Sequence, residues 1–226
     1  MTDIPDATRE AGLRERKKAM TRTAISDVAT RLFIQRGYDA VTVAEVADAA
    51  GVSIKTVFNY FGSKEELFLD RDASMHELVA STVGDRAAGV RPTEALGALL
   101  RANGIIDKPG WEAIEDPGIV RDFRSFLIVW ETAPSLRARG LMGVERLHGL
   151  LVERLAAETP DPAAGPAVQA FASALVAAVH LRQRAITTGI TRGDDGADVR
   201  RAAVAIADEV LARAAVAFPD LDRPAA

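Results

Sequence analysis

No cysteine occurs in the 226 residues, which removes disulfides, thiolate nucleophiles, iron–sulfur clusters and cysteine-ligated zinc together. Aromatic residues are scarce, at 5%. Alternating runs of Val, Ile, Thr and Tyr, the mark of half-buried strands, are missing while Ala and Leu abound, so an all-α fold is expected. The three histidines, His76, His148 and His180, stand apart without metal-ligand spacing. There is no G-x-S-x-G elbow, Walker A loop or H-E-x-x-H pair, so the expectation is a non-enzyme that holds no cofactor and no metal. The most apolar stretch, 170–181, is too short to span a bilayer and contains Ser173 and His180. Residues 1–16 are polar and show no secretory signal. A cytoplasmic protein with no membrane partner is expected.

Hydrophobic residues make up 48% of the chain, ample for a packed core. The formal charge of −4 argues against a surface that is basic throughout. Between positions 9 and 36, however, lie eight bases (Arg9, Arg14, Arg16, Lys17, Lys18, Arg22, Arg31 and Arg36) against three acids (Glu10, Glu15 and Asp27). Beyond Lys64 acids prevail. This asymmetry points to a nucleic-acid-facing end and a partner-facing body, with a merely solvated basic helix face as the alternative.

Periodicity places a first helix at about 21–36, where Ile25, Val28, Ala29, Leu32 and Phe33 recur at helical spacing, and Gly37 closes it. Thr42 and Glu45 form a capping box for a second helix whose stripe is Val43, Val46, Ala47 and Ala50. Gly51 stops it, and one residue later Ser53 caps a third, 54–61. So short a connection forces the two helices apart at a steep angle, which is a helix-turn-helix. Gly62 ends the third, and Ser63 with Glu66 reads as another capping box, opening a helix over 63–88. Further helices are expected at 92–102, 119–132, 134–158, 167–188 and 198–218, with loops at 104–118 and 159–166.

The residues Ala29, Leu32, Phe33, Gly37, Thr42, Val46, Ala47, Ala50, Gly51, Val52, Ser53, Thr56, Phe58, Tyr60, Phe61, Ser63, Lys64 and Leu67 together resemble the DNA-binding half of the TetR family of regulators. The shared pattern runs from Phe-x-x-x-Gly-Tyr, through a Thr-capped helix and an Ala-Gly-Val-Ser turn, to Tyr-Phe-x-x-Lys. It covers about a fifth of the chain. The organisation expected is a flexible basic arm at 1–19, a helix-turn-helix domain at 20–64 and a helical regulatory and dimerisation domain at 65–226.

Val57 and Phe61 should pack on Val46, Ala47, Leu32 and Phe33, turning Lys55 and Asn59 outward. The N-terminal part of such a helix meets base edges, so Ile54, Lys55 and Thr56, with Asn59, are the readout candidates. The resemblance adds Val43 and Ala44 at the groove edge, and phosphate contacts from Thr42, Thr56, Tyr60 and Lys64. Where the family often has Tyr, this chain has Phe58, whose ring is expected on a sugar or a base methyl. The basic residues Arg14, Arg16, Lys17, Lys18 and Arg22 form either a DNA-following arm or an untethered terminus.

The resemblance further implies a homodimer on double-stranded palindromic operator DNA, with reading helices about 34–36 Å apart. Its expected interface lies on the last two helices, at Phe171, Leu175, Val179, Ile186, Val199, Ala203, Ile206 and Val210; a buried pair within one chain would show the same composition. A small apolar or amphipathic effector is implied as well. Trp111, Phe123, Phe126, Trp130, Met142, Leu147, His180 and Arg184 are its candidate pocket, ordinary core being the alternative. Helix 63–88 would transmit the change. The function expected is repression relieved by that effector. The competing readings are an architectural or adaptor protein of the same fold without ligand sensing, and a hidden activity of the helical domain.

Overall fold

The computed structural model describes residues 6–104, 116–159 and 165–225. Among them run ten helices: α1 (Asp6–Arg36), α2 (Val43–Ala49), α3 (Ile54–Tyr60), α4 (Lys64–Phe68), α5 (Asp70–Gly84), α6 (Pro92–Ala102), α7 (Pro117–Thr132), α8 (Pro134–Ala157), α9 (Gly165–Arg192) and α10 (Gly196–Ala217). The described residues contain no strand; a single parallel bridge pairs Ala88 with Ala225. None of the described helices is long and apolar enough to cross a membrane. Two compact units divide the chain: Met1–Asp70 with Val129–Leu136, and Arg71–Ile128 with Arg137–Ala226.

In the first unit, Ile25, Ala29 and Phe33 of α1 are buried with Val46, Ala47, Val57, Phe61 and Leu67. Phe33 meets Tyr38 at 5.1 Å and Phe68 at 6.0 Å between ring centroids. Gly37 closes α1 with φ 85°, and Gly51 turns the chain after α2 with φ 67°, conformations in which a side chain would be strained. Helix α1 starts far earlier than its apolar stripe suggested. Of the segment expected as an arm, 1–19, the part from Asp6 onward is continuous with α1; with few breakers among its Ala, Arg, Lys and Glu, helix propensity carries the helix back. The single helix expected over 63–88 is two, separated at Leu69 (φ −105°, ψ 26°). No glycine or proline marks this break; it adjoins Asp70, which Arg22 of α1 engages.

The second unit is organised around Val79 and Val83 of α5, Leu96 and Leu100 of α6, Leu147, Leu151 and Leu155 of α8, Phe171 and Leu175 of α9, and Leu211 of α10. A smaller cluster joins Leu127 of α7 to Ile186, Ile190, Val199 and Ala203. Helix α6 is secured at both ends by distant residues. At its start the buried Asp222 carboxylate accepts from the Thr93 amide (3.0 Å) and hydroxyl (2.7 Å). At its end the buried Arg182 guanidinium donates to the carbonyls of Leu100 (3.1 Å), Asn103 and Gly104 (3.0 Å). These carbonyls lack intrahelical partners at a helix C-terminus, where a cation is favoured.

Candidate nucleic-acid interface

The reading face is assembled by local hydrogen bonds. Glu45 Oε2 accepts from the Thr42 amide and hydroxyl, both at 2.8 Å, while the Glu45 amide donates back to Thr42 Oγ1 at 3.2 Å. Arg36 Nη2 adds a contact to Glu45 Oε1 at 2.7 Å. The Thr42 amide first, then the Arg36 and Thr42 side chains, hold the Glu45 carboxyl down at about 2. Ser53 caps α3, its hydroxyl accepting from the Thr56 amide at 3.0 Å and lying 2.8 Å from Thr56 Oγ1. At α4 only half of the expected capping box forms. Ser63 accepts from the Glu66 amide at 3.3 Å, but Glu66 reaches one residue further back, to the Gly62 amide at 2.7 Å.

This arrangement turns Val57 inward, at 1% exposure, and leaves Ile54 and Phe58 47% and 53% exposed. Lys55 and Asn59 are exposed beside them, and Thr56 and Tyr60 are half-buried. On α2, Ala44 is exposed and Val43 half-buried, with the cap Thr42 exposed. Lys64 is more engaged than a phosphate-seeking lysine needs to be. Its Nζ donates to the Tyr38 carbonyl at 2.6 Å and sits 4.1 Å from the Tyr38 ring centroid; burial lowers its pKa, opposed by Asp39, Glu65 and Glu45.

Within the second unit, the described residues expected to line an effector pocket fall at separate places. Phe123 and Phe126 stack at 6.1 Å and pack against the smaller cluster of the second unit. Leu147 is buried in the larger one. Met142, at 61% exposure, His180 and Arg184 face outward. Trp130 belongs to the first unit, and Trp111 lies outside the described residues. A cavity of about 30 Å³ occurs elsewhere, lined by Met75, Val79, Leu99, Asn103, Arg182 and Gln183 among others. Gln183 Oε1, buried, has no hydrogen-bond partner there. Desolvation brings the Arg182 pKa down to about 10. Sequence reasoning missed Arg182, although a signal existed: it occupies the buried stripe Ala178, Arg182, Ile186 and Ile190, where a lone charge demands partners.

The interface set needs a similar correction. Phe171 and Leu175 are buried in the larger cluster, against which Val179 and Val210 also pack, and Ile186, Val199 and Ala203 form the smaller one. Only Ile206 of this set is exposed. The stripes expected to meet a partner chain are those by which α9 and α10 meet each other. Their outer faces carry Leu181, Arg184, Thr188, Ala202 and Ile206 along an open groove.

The family model described as bacterial regulatory proteins, tetR family, matches residues 25–70. The HTH-type transcriptional regulator TcmR of Streptomyces glaucescens is 32% identical over 160 residues, covering 69% of this chain and 69% of its own. The HTH-type transcriptional regulator BetI of Rhizobium meliloti (strain 1021) is 31% identical over 137 residues, covering 56% of this chain and 65% of its own. Among solved structures, the SmeT–triclosan complex aligns with a TM-score of 0.51 at 16% identity, over 86% of this chain and 91% of that one. That likeness is one of fold.

Proposed function

Because this chain belongs to the TetR family of bacterial regulatory proteins, we propose that it is a transcriptional repressor that holds a palindromic operator as a homodimer and releases it when a small apolar or amphipathic molecule binds the second unit. The observation that carries this reading is the outward face of α3. Ile54, Lys55, Phe58 and Asn59 are exposed while Val57 beneath them is buried, the presentation a helix needs to enter a major groove.

In this reading Ile54, Lys55, Thr56 and Asn59 meet base edges, Lys55 suiting guanine O6 and N7 and Asn59 suiting adenine. Val43 and Ala44 lie at the groove edge. Thr42, Tyr60 and Lys64 contact the phosphate backbone, which positions the helix without selecting sequence. Two copies associate through the outer faces of α9 and α10, around Leu181 and Ile206. For the effector, support comes from the cavity beside Gln183 and from the neighbour of the same fold that binds triclosan. At about 30 Å³ this cavity suits water. A ligand site of ~300 Å³ or more therefore requires a second, more open conformation, and a ligand that prefers it shifts the population away from the DNA-binding form.

Selection of bound duplexes from random sequence, followed by footprinting with and without cell extract, tests the proposal. The expected result is protection of a few short palindromes, lost with extract. Broad coating of DNA without site preference would instead indicate an architectural protein.

A further inference from the structure

We infer that Ile54 and Phe58 read the operator through thymine C5-methyl groups, so that each half-site carries two thymines no more than about two base pairs apart. The inference rests on the DNA-binding reading above and names what that surface selects. Among the described residues, the first unit exposes three large apolar side chains, Met20, Ile54 and Phe58, and two of them share one seven-residue helix. Their exposure is not a failure of packing, because Val57 between them is 1% exposed. The helix has a completed inner face and a second apolar strip outside.

What covers that strip follows from what surrounds it. Ile54 and Phe58 alternate with exposed Lys55 and Asn59, so the occupant must offer apolar and polar groups at close intervals. A major groove does so. Its floor presents hydrogen-bonding edges, and the apolar group among them is the thymine methyl. Phe58 has no hydroxyl with which to reach a phosphate, and Thr56 Oγ1 is turned to Ser53 at 2.8 Å. The face therefore carries as much apolar as polar recognition. Residues i and i+4 lie on one side of a helix about 6 Å apart along its axis. Base pairs stack about 3.4 Å apart, so the two side chains span about two steps.

The test uses the full chain and a duplex recovered by selection, with each thymine of one half-site replaced singly by deoxyuridine, which removes the methyl and keeps the pairing. Loss of one buried methyl is expected to weaken binding about fourfold at each of two positions and little elsewhere. Phe58→Ala should abolish the sensitivity at one of them and Ile54→Ala at the other. Both side chains are exposed, so unchanged thermal unfolding is expected and checks that the variants fold. Tight, specific binding that ignores every deoxyuridine, or a selected site without such thymines, would overturn the inference and leave DNA binding standing. Absence of any selected site would overturn both readings. Loss of self-association by Phe58→Ala with unchanged DNA affinity would assign the strip to a second copy of the chain and likewise overturn it.

Discussion

Arg22 Nε lies 2.5 Å from Asp70 Oδ1, and the same guanidinium donates through Nη1 to the Tyr60 carbonyl and sits 4.4 Å from the centroid of the Phe61 ring. One side chain of α1 thus holds the last residue of α3 and the first residue of α5. The orientation of the reading helix and the path of the chain leaving it are set by the same contact. Arg22 belongs to the basic segment that the sequence presents as a run of phosphate-seeking charges; its role here is internal.

Arg22→Ala and Asp70→Ala should each destabilise the first unit, and the double variant should show a coupling of about 1 kcal/mol in urea unfolding. Solvent trims the value, since the Arg22 side chain is 39% exposed and Asp70 11%. Arg22→Ala should also weaken binding to every DNA sequence alike. Strict additivity in the cycle would show that the pair is not a coupled clasp.

Acid should loosen α2 through Glu45 only as pH falls below the ordinary carboxylate range. Glu45 is held down at about 2 by Thr42 and Arg36, below its value of roughly 4.3 in an unfolded chain. The unfolded state therefore binds the proton first, so the contribution is whole above the unfolded value and is lost as pH falls through about 2. Glu45→Gln should flatten the dependence of the urea midpoint on pH in this window. An unchanged slope in that variant would place the acid sensitivity elsewhere.

Lys64 uses one of its three N–H donors on the Tyr38 carbonyl, leaving others for a phosphate. Lys64→Ala should weaken binding to all sequences, reduce the salt slope by about 1 and lower thermal stability as the carbonyl loses its donor. A changed sequence preference with the slope intact would contradict the backbone role.

Gly189 allows α9 and α10 to approach. A Cβ there would meet Val199 Cγ2 at 2.6 Å, and Val199 is buried. Gly189→Ala should therefore cost about 1–3 kcal/mol by overpacking, with Val199→Ala restoring part of the loss in the double variant. Thermal unfolding of the single and double variants checks this, and a silent Gly189→Ala would mean that the helices can separate without cost.

The caps and turns of the reading head were legible in the residues themselves. Thr42 with Glu45, Gly51, and Ser53 with Thr56 have their partners within four positions, and local chemistry settles such contacts before any packing occurs. The inward face of α3 was legible for the same reason: Val57 precedes Phe61 by one helical turn, and helical geometry alone turns it from Lys55. Even there the local rule was incomplete, since Glu66 passed over Ser63 to reach Gly62.

Tertiary structure alone decided which neighbour covers each apolar stripe. Periodicity identifies Phe171, Leu175, Ile186, Val199 and Ala203 as buried but is silent on the covering helix, and an intrachain seam has the same composition as an interface between chains. It could not separate exposed Met142 from buried Leu147, both apolar residues of α8. Nor could it join Arg182 to Leu100, 82 residues away, or Arg22 to Asp70, 48 away. Contacts that close such long loops carry no local sign of which residue will be the partner, because only the packed chain brings the two within reach.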